Sequence, residues 1–418
     1  MVRSIMRFVL LITVIVVLLG GSRAWAGGSS PNVVVYTSTG QPNGGYLTTF
    51  APDGTSAGKI AVPDASRVNV SPSLQWYSTV VPFEHPKLQY APLSHFTPGL
   101  LVDVNTEPGF DIGDAQFNWD SAYLLYVLTK LDAPQYIIGI IELQTGKQVE
   151  FAGTYSQAPA PTKTEFGGAA GPLFLDAQSG RLVLRPFAPN AGGSSEGLYE
   201  TYIGNFASLK AGRYPLPPVG QIATADQYGI YGSPQHLSPA PEGLKYLAYF
   251  SKNAGNPPAN YQEAPFSQQY NVLNILDLTV GQSVVAAQAG KGQGLEQLAW
   301  APFNPVATPP GDKIYFSGGN YQNTSFISQP RLYTFQVSTN TVIEGPLLTN
   351  DPAEDITAIV VCTNTTQDTL YFVGTKTDSA TQNSTATLYV APLYDISQKK
   401  ALVSGSFVGL SGCVPPVS

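Results

Sequence analysis

Short apolar runs bounded by turn-forming residues recur along the chain and predict β-strands. Residues 123–127 and 313–316 are two of the clearest runs, and each follows a first strand and turn, at 117–121 and 298–302. A third strand comes next, for example at 137–143, and it ends in a turn containing glycine. Alternating apolar and polar residues between Gly, Pro, Asn and Asp are typical of strands joined by turns. The pattern predicts an all-β chain in which groups of four short strands repeat.

The spacing of these groups indicates the fold. First strands are predicted to begin near residues 66, 114, 170, 232, 295 and 355. A period of roughly 40 to 60 residues with four strands per unit is typical of a β-propeller. Residues 32–62 add three strands without a first strand, and residues 405–416 add a first strand alone. We therefore expect a single β-propeller of seven four-stranded blades, with the N- and C-terminal strands closing one blade and removing an exposed sheet edge. Six blades with unpaired ends is the alternative.

Residues near the start of several units resemble the WD40-like repeats of TolB-type propellers, in which Trp-Ser-Pro-Asp-Gly precedes a β-strand. The matching segments are Trp-Ala-Pro at 300–302 and Leu-Ser-Pro at 237–239, followed by Ile-Tyr-Phe at 314–316 and Leu-Ala-Tyr-Phe at 247–250. The match extends over nearly the whole chain after residue 26, although residues 173–180 keep only the turn. The resemblance implies a propeller that binds proteins, holds a ligand at its central channel or gates a neighbouring hydrolase. The fold alone does not choose among these roles.

The N-terminus has the three-part form of a secretory signal. Two arginines precede an apolar run over residues 8–19, and Ala-Trp-Ala follows. This predicts a signal peptide over residues 1–26, cleaved after Ala26, and a propeller domain over residues 27–418. The mature protein would be periplasmic, extracellular or on the cell surface, without membrane insertion. The apolar run is shorter than the roughly 18 to 20 residues of a membrane span, so an uncleaved N-terminal anchor is the alternative.

Composition and charge narrow the class of partner. Charged residues make up 12% of the chain, the formal net charge is -7, and lysine and arginine form no cluster beyond a pair. A nucleic-acid partner is not expected, because surfaces that bind nucleic acid are basic. Hydrophobic residues make up 43% of the chain, which provides material for a core, while 41 glycines and 35 prolines argue against long helices.

The two cysteines support the ring independently. Cys362 ends the predicted inner strand of the seventh blade, and Cys413 has the same place in the strand that completes the first blade. Neighbouring inner strands would bring the two residues close together. In an exported protein, two cysteines at matching positions predict a disulfide between Cys362 and Cys413.

The sequence contains no recognisable catalytic motif. Residues 193–197 match the bare G-x-S-x-G string, but they lie in a Gly/Ser/Pro-rich stretch with no helix after it, so a nucleophile elbow is not predicted. The three histidines, His85, His95 and His236, are scattered, although His85 and His95 share one predicted hairpin. Surface or packing roles are expected for them, and neither a catalytic residue nor a cofactor is predicted. An enzyme stays an alternative, because propeller enzymes draw residues from several blades.

One acidic segment, residues 103–114, has oxygen-bearing side chains at alternate positions, as a calcium-binding loop does. The candidate ligands are Asp103, Asn105, Glu107 and Asp111. The segment departs from the EF-hand pattern, because Pro108 stands where glycine is required and no glutamate closes the loop. A solvated loop between blades needs no metal. No metal site is therefore predicted, and calcium is kept as the alternative.

Several Asn-X-Ser/Thr triplets form acceptor sequences for N-glycosylation. Three begin at Asn323, Asn364 and Asn383, on predicted loops of one half of the ring. A fourth begins at Asn69, inside a first strand, where we expect burial. The triplets matter only if the host glycosylates exported proteins.

These observations favour an exported, monomeric, non-enzymatic propeller. We expect it to bind a protein or a cell-surface polymer through loops rich in Tyr, Asn and Gln, since such side chains suit binding surfaces. One alternative is a propeller enzyme, a lactonase-like or other hydrolase with its site at the channel mouth. Another is a structural module of an envelope or surface layer.

Overall fold

Nearly all of the regular structure is β-strand. The computed structural model describes residues 33–38, 45–50, 55–62, 67–71, 75–81, 86–94, 97–98, 101–118, 120–130, 133, 135–154, 171–185, 198–223, 231–237, 246–251, 272–277, 280, 282–289, 293–300, 313–323, 326–362, 368–378, 380–381, 383–405 and 407–413. Within these ranges there are 30 strands and two 3-10 helices, Phe206–Ser208 and Ile396–Gln398. None of the helices in these ranges is long and apolar enough to cross a membrane.

The strands have the following bounds. The first fifteen are β1 (Val33–Ser38), β2 (Gly45–Phe50), β3 (Ser56–Val62), β4 (Arg67–Val70), β5 (Trp76–Val81), β6 (Lys87–Ser94), β7 (Thr97–Pro98), β8 (Val102–Asp103), β9 (Phe110–Phe117), β10 (Tyr123–Lys130), β11 (Gln135–Glu142), β12 (Lys147–Thr154), β13 (Gly171–Asp176), β14 (Arg181–Arg185) and β15 (Leu198–Tyr202). The others are β16 (Gly212–Pro215), β17 (Val219–Ala223), β18 (Tyr231–Leu237), β19 (Tyr246–Ser251), β20 (Val272–Asp277), β21 (Gln282–Gln288), β22 (Gln293–Trp300), β23 (Lys313–Asn323), β24 (Phe326–Gln336), β25 (Thr341–Leu347), β26 (Glu354–Cys362), β27 (Thr369–Thr377), β28 (Ser384–Pro392), β29 (Lys400–Gly405) and β30 (Phe407–Cys413).

The strands form seven sheets, which are the seven blades of a ring. From its outer edge inwards, blade 1 has the order β3-β2-β1-β30. Blade 2 contains β4, β5 and β6, with the short β7 and β8 both paired to β6. Blade 3 contains β9 to β12, and blade 4 contains β13, β14, β15 and β17. Blades 5, 6 and 7 are β18 to β21, β22 to β25 and β26 to β29. The prediction of a seven-bladed propeller is confirmed, and the six-bladed alternative is wrong.

The two ends of the propeller close the ring in blade 1, as predicted. Strand β1 pairs antiparallel with β30, so that Val33 lies opposite Cys413 and Ser38 opposite Phe407. The inner strand β30 also contacts β26 of blade 7 and β4 of blade 2. Backbone hydrogen bonds between the first and the last strand therefore hold the ring shut, and neither strand is left as an open edge there.

The middle strands of a blade carry nearly continuous apolar runs, because neighbouring blades cover both of its faces. In β11, every side chain from Tyr136 to Ile141 is buried. Ile138 packs in a cluster with residues of blade 4, whereas Ile137 packs in a cluster with residues of blade 2. Burial of a large aliphatic side chain stabilises by about 1.5 to 3 kcal/mol. The core is thus a series of apolar clusters between successive blades.

The alternating strand directions give the ring two distinct ends. We call the end at which each inner strand begins the upper end, and the end at which it stops the lower end. Because neighbouring strands in a blade are antiparallel, the turns between first and second strands, and between third and fourth strands, lie at the lower end. The remaining turns, and the connections to the next blade, lie at the upper end.

One strand lies outside the four-stranded plan. Strand β16 belongs to the lower connection between β15 and β17 of blade 4, but it pairs in parallel with β12, the outer strand of blade 3. Gly212 lies opposite Val149, and Pro215 lies opposite Ala152. Blade 3 therefore has five strands, which the sequence pattern did not predict.

Candidate functional site

The carboxylates of the acidic segment are held by separate partners. Asp103 accepts a hydrogen bond of 2.6 Å from the side chain of Gln89, and Asp111 accepts one of 2.8 Å from the next backbone amide. Asn105 is exposed, and Glu107 belongs to the charged network described next. Within the described ranges, no three His, Cys, Asp or Glu side chains are grouped so that they could hold a metal ion. The structure does not bring the calcium candidates together as a ligand set.

Arg213 of β16 and Glu150 of β12 form the centre of a charged network. Nε and Nη2 of Arg213 donate to Oε2 of Glu150 at 2.9 and 2.6 Å, and Nη1 donates to Glu107 at 2.6 Å. The other oxygen of Glu150 accepts hydrogen bonds from Tyr126 Oη at 2.8 Å and Gln148 Nε2 at 3.1 Å. The buried carboxylate of Glu150 is therefore both hydrogen-bonded and matched by a positive charge, as a buried charge requires.

The titration behaviour of the network follows from burial and charge. Burial, together with the charge of Glu150, raises the pKa of Tyr126 well above its ordinary value of 10.0. Burial disfavours the charged form of Arg213, but its hydrogen bonds to Glu150 and Glu107 outweigh this effect and raise its pKa. Glu107 lies in the connection between blades 2 and 3, and Glu150 lies in blade 3. Arg213 lies in the connection between β15 and β17 of blade 4. The network joins three successive blades, which is a structural role.

A second buried acid lies at the upper end of blade 7. Glu354, which is 2% exposed, begins the inner strand β26. Its oxygens accept hydrogen bonds from Thr349 Oγ1 at 2.6 Å and Tyr389 Oη at 2.9 Å. Burial and this hydrogen bond raise the pKa of Tyr389. Gly374 leaves the room for the acid, since a Cβ there would lie 2.5 Å from its Oε1. Glu354 is closed to solvent and hence not open to a substrate.

The predicted disulfide partners lie at the same end of adjacent inner strands. Cys362 is buried and ends β26 of blade 7, and Cys413 ends β30 of blade 1. Strands β26 and β30 are in contact. In the part of the chain that the structure describes, no cysteine is free. This arrangement agrees with the disulfide, which stays a prediction.

Other candidates from the sequence fall partly outside the described residues. His85, His95, Asn364, residues 193–197 and residues 1–26 all lie outside them. His236 lies in β18 opposite Leu247, but its side chain is not among those described. The structure therefore brings none of the three histidines into a described site.

Two of the acceptor sequences share one end of the ring. Asn323 ends β23 at the tip of its hairpin with β24, and the exposed Asn383 immediately precedes β28. Both positions are at the upper end, on blades 6 and 7. Asn69 is half-buried, and its side-chain amide donates a hydrogen bond of 2.7 Å to the carbonyl of Ala115. That bond joins the inner strands of blades 2 and 3, so Asn69 has a structural use.

Large apolar side chains are exposed at the lower end of four successive blades. Of the eight exposed large hydrophobic residues in the described part of the chain, six form what we call the rim surface. They are Tyr202 of blade 4, Val280 and Val284 of blade 5, Val342 and Ile343 of blade 6, and Tyr394 of blade 7. Each side chain is between 45% and 67% exposed. All six lie on the outer two strands of a blade or in the lower turn beside them.

The surroundings of the rim surface differ from blade to blade. The hydroxyl of Tyr394 is hydrogen-bonded to Thr334 of blade 6 at 3.2 Å, so its ring is held in place while it stays exposed. On blade 6, an ion pair of 3.2 Å between Arg331 and Glu344 lies beside the apolar residues. In blade 3, by contrast, the corresponding lower turn consists of exposed Gln-Thr-Gly at residues 144–146. Among the described residues, exposed large apolar side chains at the lower end are thus confined to blades 4 to 7. Sequence reasoning missed this exposure, because a valine in a strand gives no sign of whether a neighbouring blade covers it.

Solved structures identify the class of protein, whereas sequence comparison does not. No protein-family model matches the chain, and no curated protein matches it either. The acylaminoacyl peptidase of Pyrococcus horikoshii is 13% identical, with a TM-score of 0.50 over 90% of this chain and 52% of that chain. The chain therefore spans about half the length of that peptidase. Together with the seven blades, the likeness makes this chain a β-propeller protein.

Two further solved structures are similar over most of the chain. The propeller domain of the Trilobed protease from Pyrococcus furiosus is 12% identical, with a TM-score of 0.48 over 88% of this chain and 93% of that chain, and its reported topology is an open velcro. An oligogalacturonate lyase in complex with manganese is 12% identical, with a TM-score of 0.46 over 90% of this chain and 84% of that chain. Identities this low concern the fold alone.

Proposed function

We propose that this chain is an exported, non-enzymatic β-propeller that binds a protein through its rim surface. The observation that carries the proposal is the exposure of six large apolar side chains at one end of four successive blades. Apolar surface is costly to leave in water, and we take six such residues at one end of four neighbouring blades as the mark of an interaction site. Tyrosine is also enriched at protein interfaces. A protein partner fits such a surface better than a strongly charged polymer does.

The proposal extends to export, oligomeric state, repeat class and the disulfide. We infer that residues 1–26 direct export and are removed, and that the mature protein is a monomer outside the cytoplasm. Membership of the TolB-type propellers is supported by the Trp-Ala-Pro and Leu-Ser-Pro segments. A disulfide between Cys362 and Cys413 is supported by the contact between their strands. The net charge of -7 supports a partner other than nucleic acid.

The experiment compares the mature protein with two polar variants. In the rim variant, Tyr202, Val280, Val284, Val342, Ile343 and Tyr394 are each replaced by serine. In the control variant, Tyr46 and Val102, the other two exposed large hydrophobic residues of the described chain, are replaced in the same way. Each protein is immobilised and exposed to detergent-solubilised envelope proteins of the host and to an array of cell-surface glycans, and bound material is identified by mass spectrometry.

The proposal predicts that one defined protein is retained by the mature protein and by the control variant, and is lost with the rim variant. If all three proteins retained the partner equally, the rim surface would not be the site that binds it. Retention of a glycan instead of a protein would also contradict the proposal. Turnover of a lactone, peptide ester or oligogalacturonate by the mature protein would favour the propeller enzyme, and a stable high-mass assembly of the chain with itself would favour the structural module.

A further inference from the structure

The outer strand of each blade is a sheet edge, and most of these edges are protected. Unpaired edges invite pairing with other chains, and proteins protect them with charges, prolines, short strands or a covering segment. Here, β3 contains Lys59, β29 contains Lys400, and β25 contains both Glu344 and Pro346. Strand β17 has only five residues, β7 and β8 have two each, and β12 is covered by β16.

Strand β21, the outer strand of blade 5, has none of these protections among the residues that the structure describes. Its seven residues, Gln-Ser-Val-Val-Ala-Ala-Gln, include no charge, no proline and no glycine. One side of β21 pairs with β20, and no strand in the described part of the chain pairs with the other side. Val284 is 60% exposed, whereas Ala286 and Ala287 pack into the apolar cluster between blades 5 and 6. The strand is anchored from within, and among the described residues its outer backbone groups have no strand partner, although β17 of blade 4 lies near it.

The chain itself shows that an outer edge of this ring can accept another strand. Strand β16 adds in parallel to β12 of blade 3 through four residue pairs. It is held there by the ion pair of Arg213 with Glu150 and by packing of Tyr214 against Phe151, whose ring centroids lie 6.0 Å apart. Backbone pairing along the edge and side-chain anchors beside it are the two elements of β-strand addition. Strand β21 offers the first, and the rim surface offers the second.

The rim surface includes residues at the start of β21 and on the blades to either side. Val280 precedes the strand in its lower turn, and Val284 lies on the strand itself. Tyr202 is on blade 4, on one side, and Val342 is on blade 6, on the other. We propose that the outer edge of β21 docks an extended polypeptide segment of a partner protein, which adds to blade 5 as a fifth strand. This inference rests on the proposed function and names the place and the chemistry of its binding.

The properties of β21 define the segment that fits. The centre of the segment is uncharged, because a charge there would meet no opposite charge on β21 and would stay unpaired. A β-branched or aromatic residue of the segment lies beside Val284, where such cross-strand neighbours stabilise by about 0.2 to 1 kcal/mol. Seven residues at roughly 3.3 Å each give an edge of about 23 Å, enough for a segment of similar length. A second copy of the chain is a poorer occupant, because an edge of about 23 Å by roughly 10 Å is well below the roughly 800 Å² that each partner of a stable dimer buries.

The test uses the mature protein and a fluorescein-labelled peptide of alternating threonine and valine, with lysines at both ends for solubility. A second peptide, in which proline replaces alternate residues, cannot donate the backbone hydrogen bonds and serves as the peptide control. Two variants are matched. Val284→Lys places a charge on the exposed face of β21, and Val102→Lys makes the same change at an exposed valine of β8 in blade 2, outside the rim surface. Fluorescence anisotropy gives the affinity, and backbone amide exchange locates the peptide.

The inference predicts that the alternating peptide binds and slows amide exchange in residues 282–288. Val284→Lys weakens binding by about tenfold or more, Val102→Lys changes it by less than about threefold, and the proline peptide does not bind. Equal weakening by the two variants, protection of another strand, or binding of both peptides would overturn strand addition at β21. Those results leave the proposed function intact if the partner protein is still lost with the rim variant. Dimerisation of the mature protein that Val284→Lys abolishes would overturn the choice of occupant.

Discussion

At the scale of single residues, tyrosine rings packed over glycines account for part of blade 3. Tyr126 lies opposite Gly139 in the pair of β10 and β11, and Tyr136 lies opposite Gly153 in the pair of β11 and β12. A Cβ added at either glycine would overlap the ring of the opposite tyrosine. Each glycine therefore provides the space that lets a large buried tyrosine ring lie flat across the neighbouring strand. From the sequence alone, a glycine in a strand indicates only a position that weakens the strand.

Replacement of Gly139 by alanine tests this packing. The new methyl group displaces the Tyr126 ring, so the free energy of unfolding falls by about 1 to 3 kcal/mol, as overpacked cores usually show. Gly220→Ala is the control, because the nearest heavy atom to a Cβ there is 4.0 Å away. Urea denaturation of the three proteins measures the difference. If Gly139→Ala were as stable as the unaltered protein, packing of the Tyr126 side chain would not depend on that glycine.

Buried and half-buried phenols predict a loss of stability at alkaline pH. Burial, with smaller contributions from the charges of Glu142 and Asp120, raises the pKa of Tyr123 from 10.0 to about 12. Burial also raises the pKa of Tyr136 and Tyr315. Because the folded pKa exceeds the unfolded one, this contribution to stability is complete below pH 10 and is lost as the pH rises through 12.

The measurement is the free energy of unfolding between pH 8 and pH 12, together with phenolate absorbance. We expect stability to fall above pH 10, with the fall reduced in Tyr123→Phe, and a fraction of the 23 tyrosines to ionise only on unfolding. Titration of all tyrosines near pH 10 in a protein that stays folded would contradict the burial described for them.

At the scale of strands, the sequence predicts the regular elements and misses the exceptional one. The first strands of the blades begin at residues 67, 110, 171, 231, 293 and 354, within a few residues of the predicted positions. Their apolar runs are long and bounded by turns, so the local sequence pattern is sufficient to predict where these strands begin. Strand β16 has the sequence Gly-Arg-Tyr-Pro, which locally is typical of a turn. Its pairing depends on Arg213 meeting Glu150, a contact across 63 residues that no local pattern contains.

Arg213→Met tests whether that contact holds β16 in place. Loss of the guanidinium leaves the carboxylate of Glu150 buried without a counter-charge, and the free energy of unfolding falls by about 2 to 3 kcal/mol. The value is less than for a wholly buried pair, because 37% of the Arg213 side chain is exposed. Amide exchange in β12 should rise at the same time.

Arg331→Met is the matched control for this variant. Its ion pair with Glu344 lies on side chains that are 40% and 61% exposed, so its loss costs less than about 1 kcal/mol. If both variants lost stability equally, the network around Glu150 would have no special role in blade 3.

At the scale of the whole molecule, repetition makes the ring predictable from the sequence but leaves the rim surface unpredictable. Seven units and two complementary chain ends can be counted along the sequence, and pairing of β1 with β30 confirms the count. The rim surface depends instead on which outer strands a neighbouring blade leaves uncovered. Val342 and Val373 are both valines in strands, yet Val342 is 45% exposed and Val373 is fully buried. The two valines differ in exposure only because they occupy different positions in the assembled ring.

Ring closure by the predicted disulfide has a measurable consequence. A bond between Cys362 and Cys413 closes a loop of about 50 residues, and such a loop stabilises by roughly 4 kcal/mol on the chain-entropy model. Reductant should therefore lower the unfolding temperature of the mature protein but leave that of a variant with both cysteines replaced by serine unchanged. An unfolding temperature that does not respond to reductant would rule out a stabilising disulfide.

The central claim, that the propeller binds a protein through the lower rim of blades 4 to 7, is tested most directly by hydrogen–deuterium exchange. The mature protein is compared alone and in complex with the protein that it retains from the envelope. We predict slower exchange in residues 198–202, 282–288 and 341–345 and in the turn around Tyr394, with no change at the upper end. Protection at the upper connections or along the inner strands, with the rim unchanged, would contradict the claim and place binding at the channel mouth.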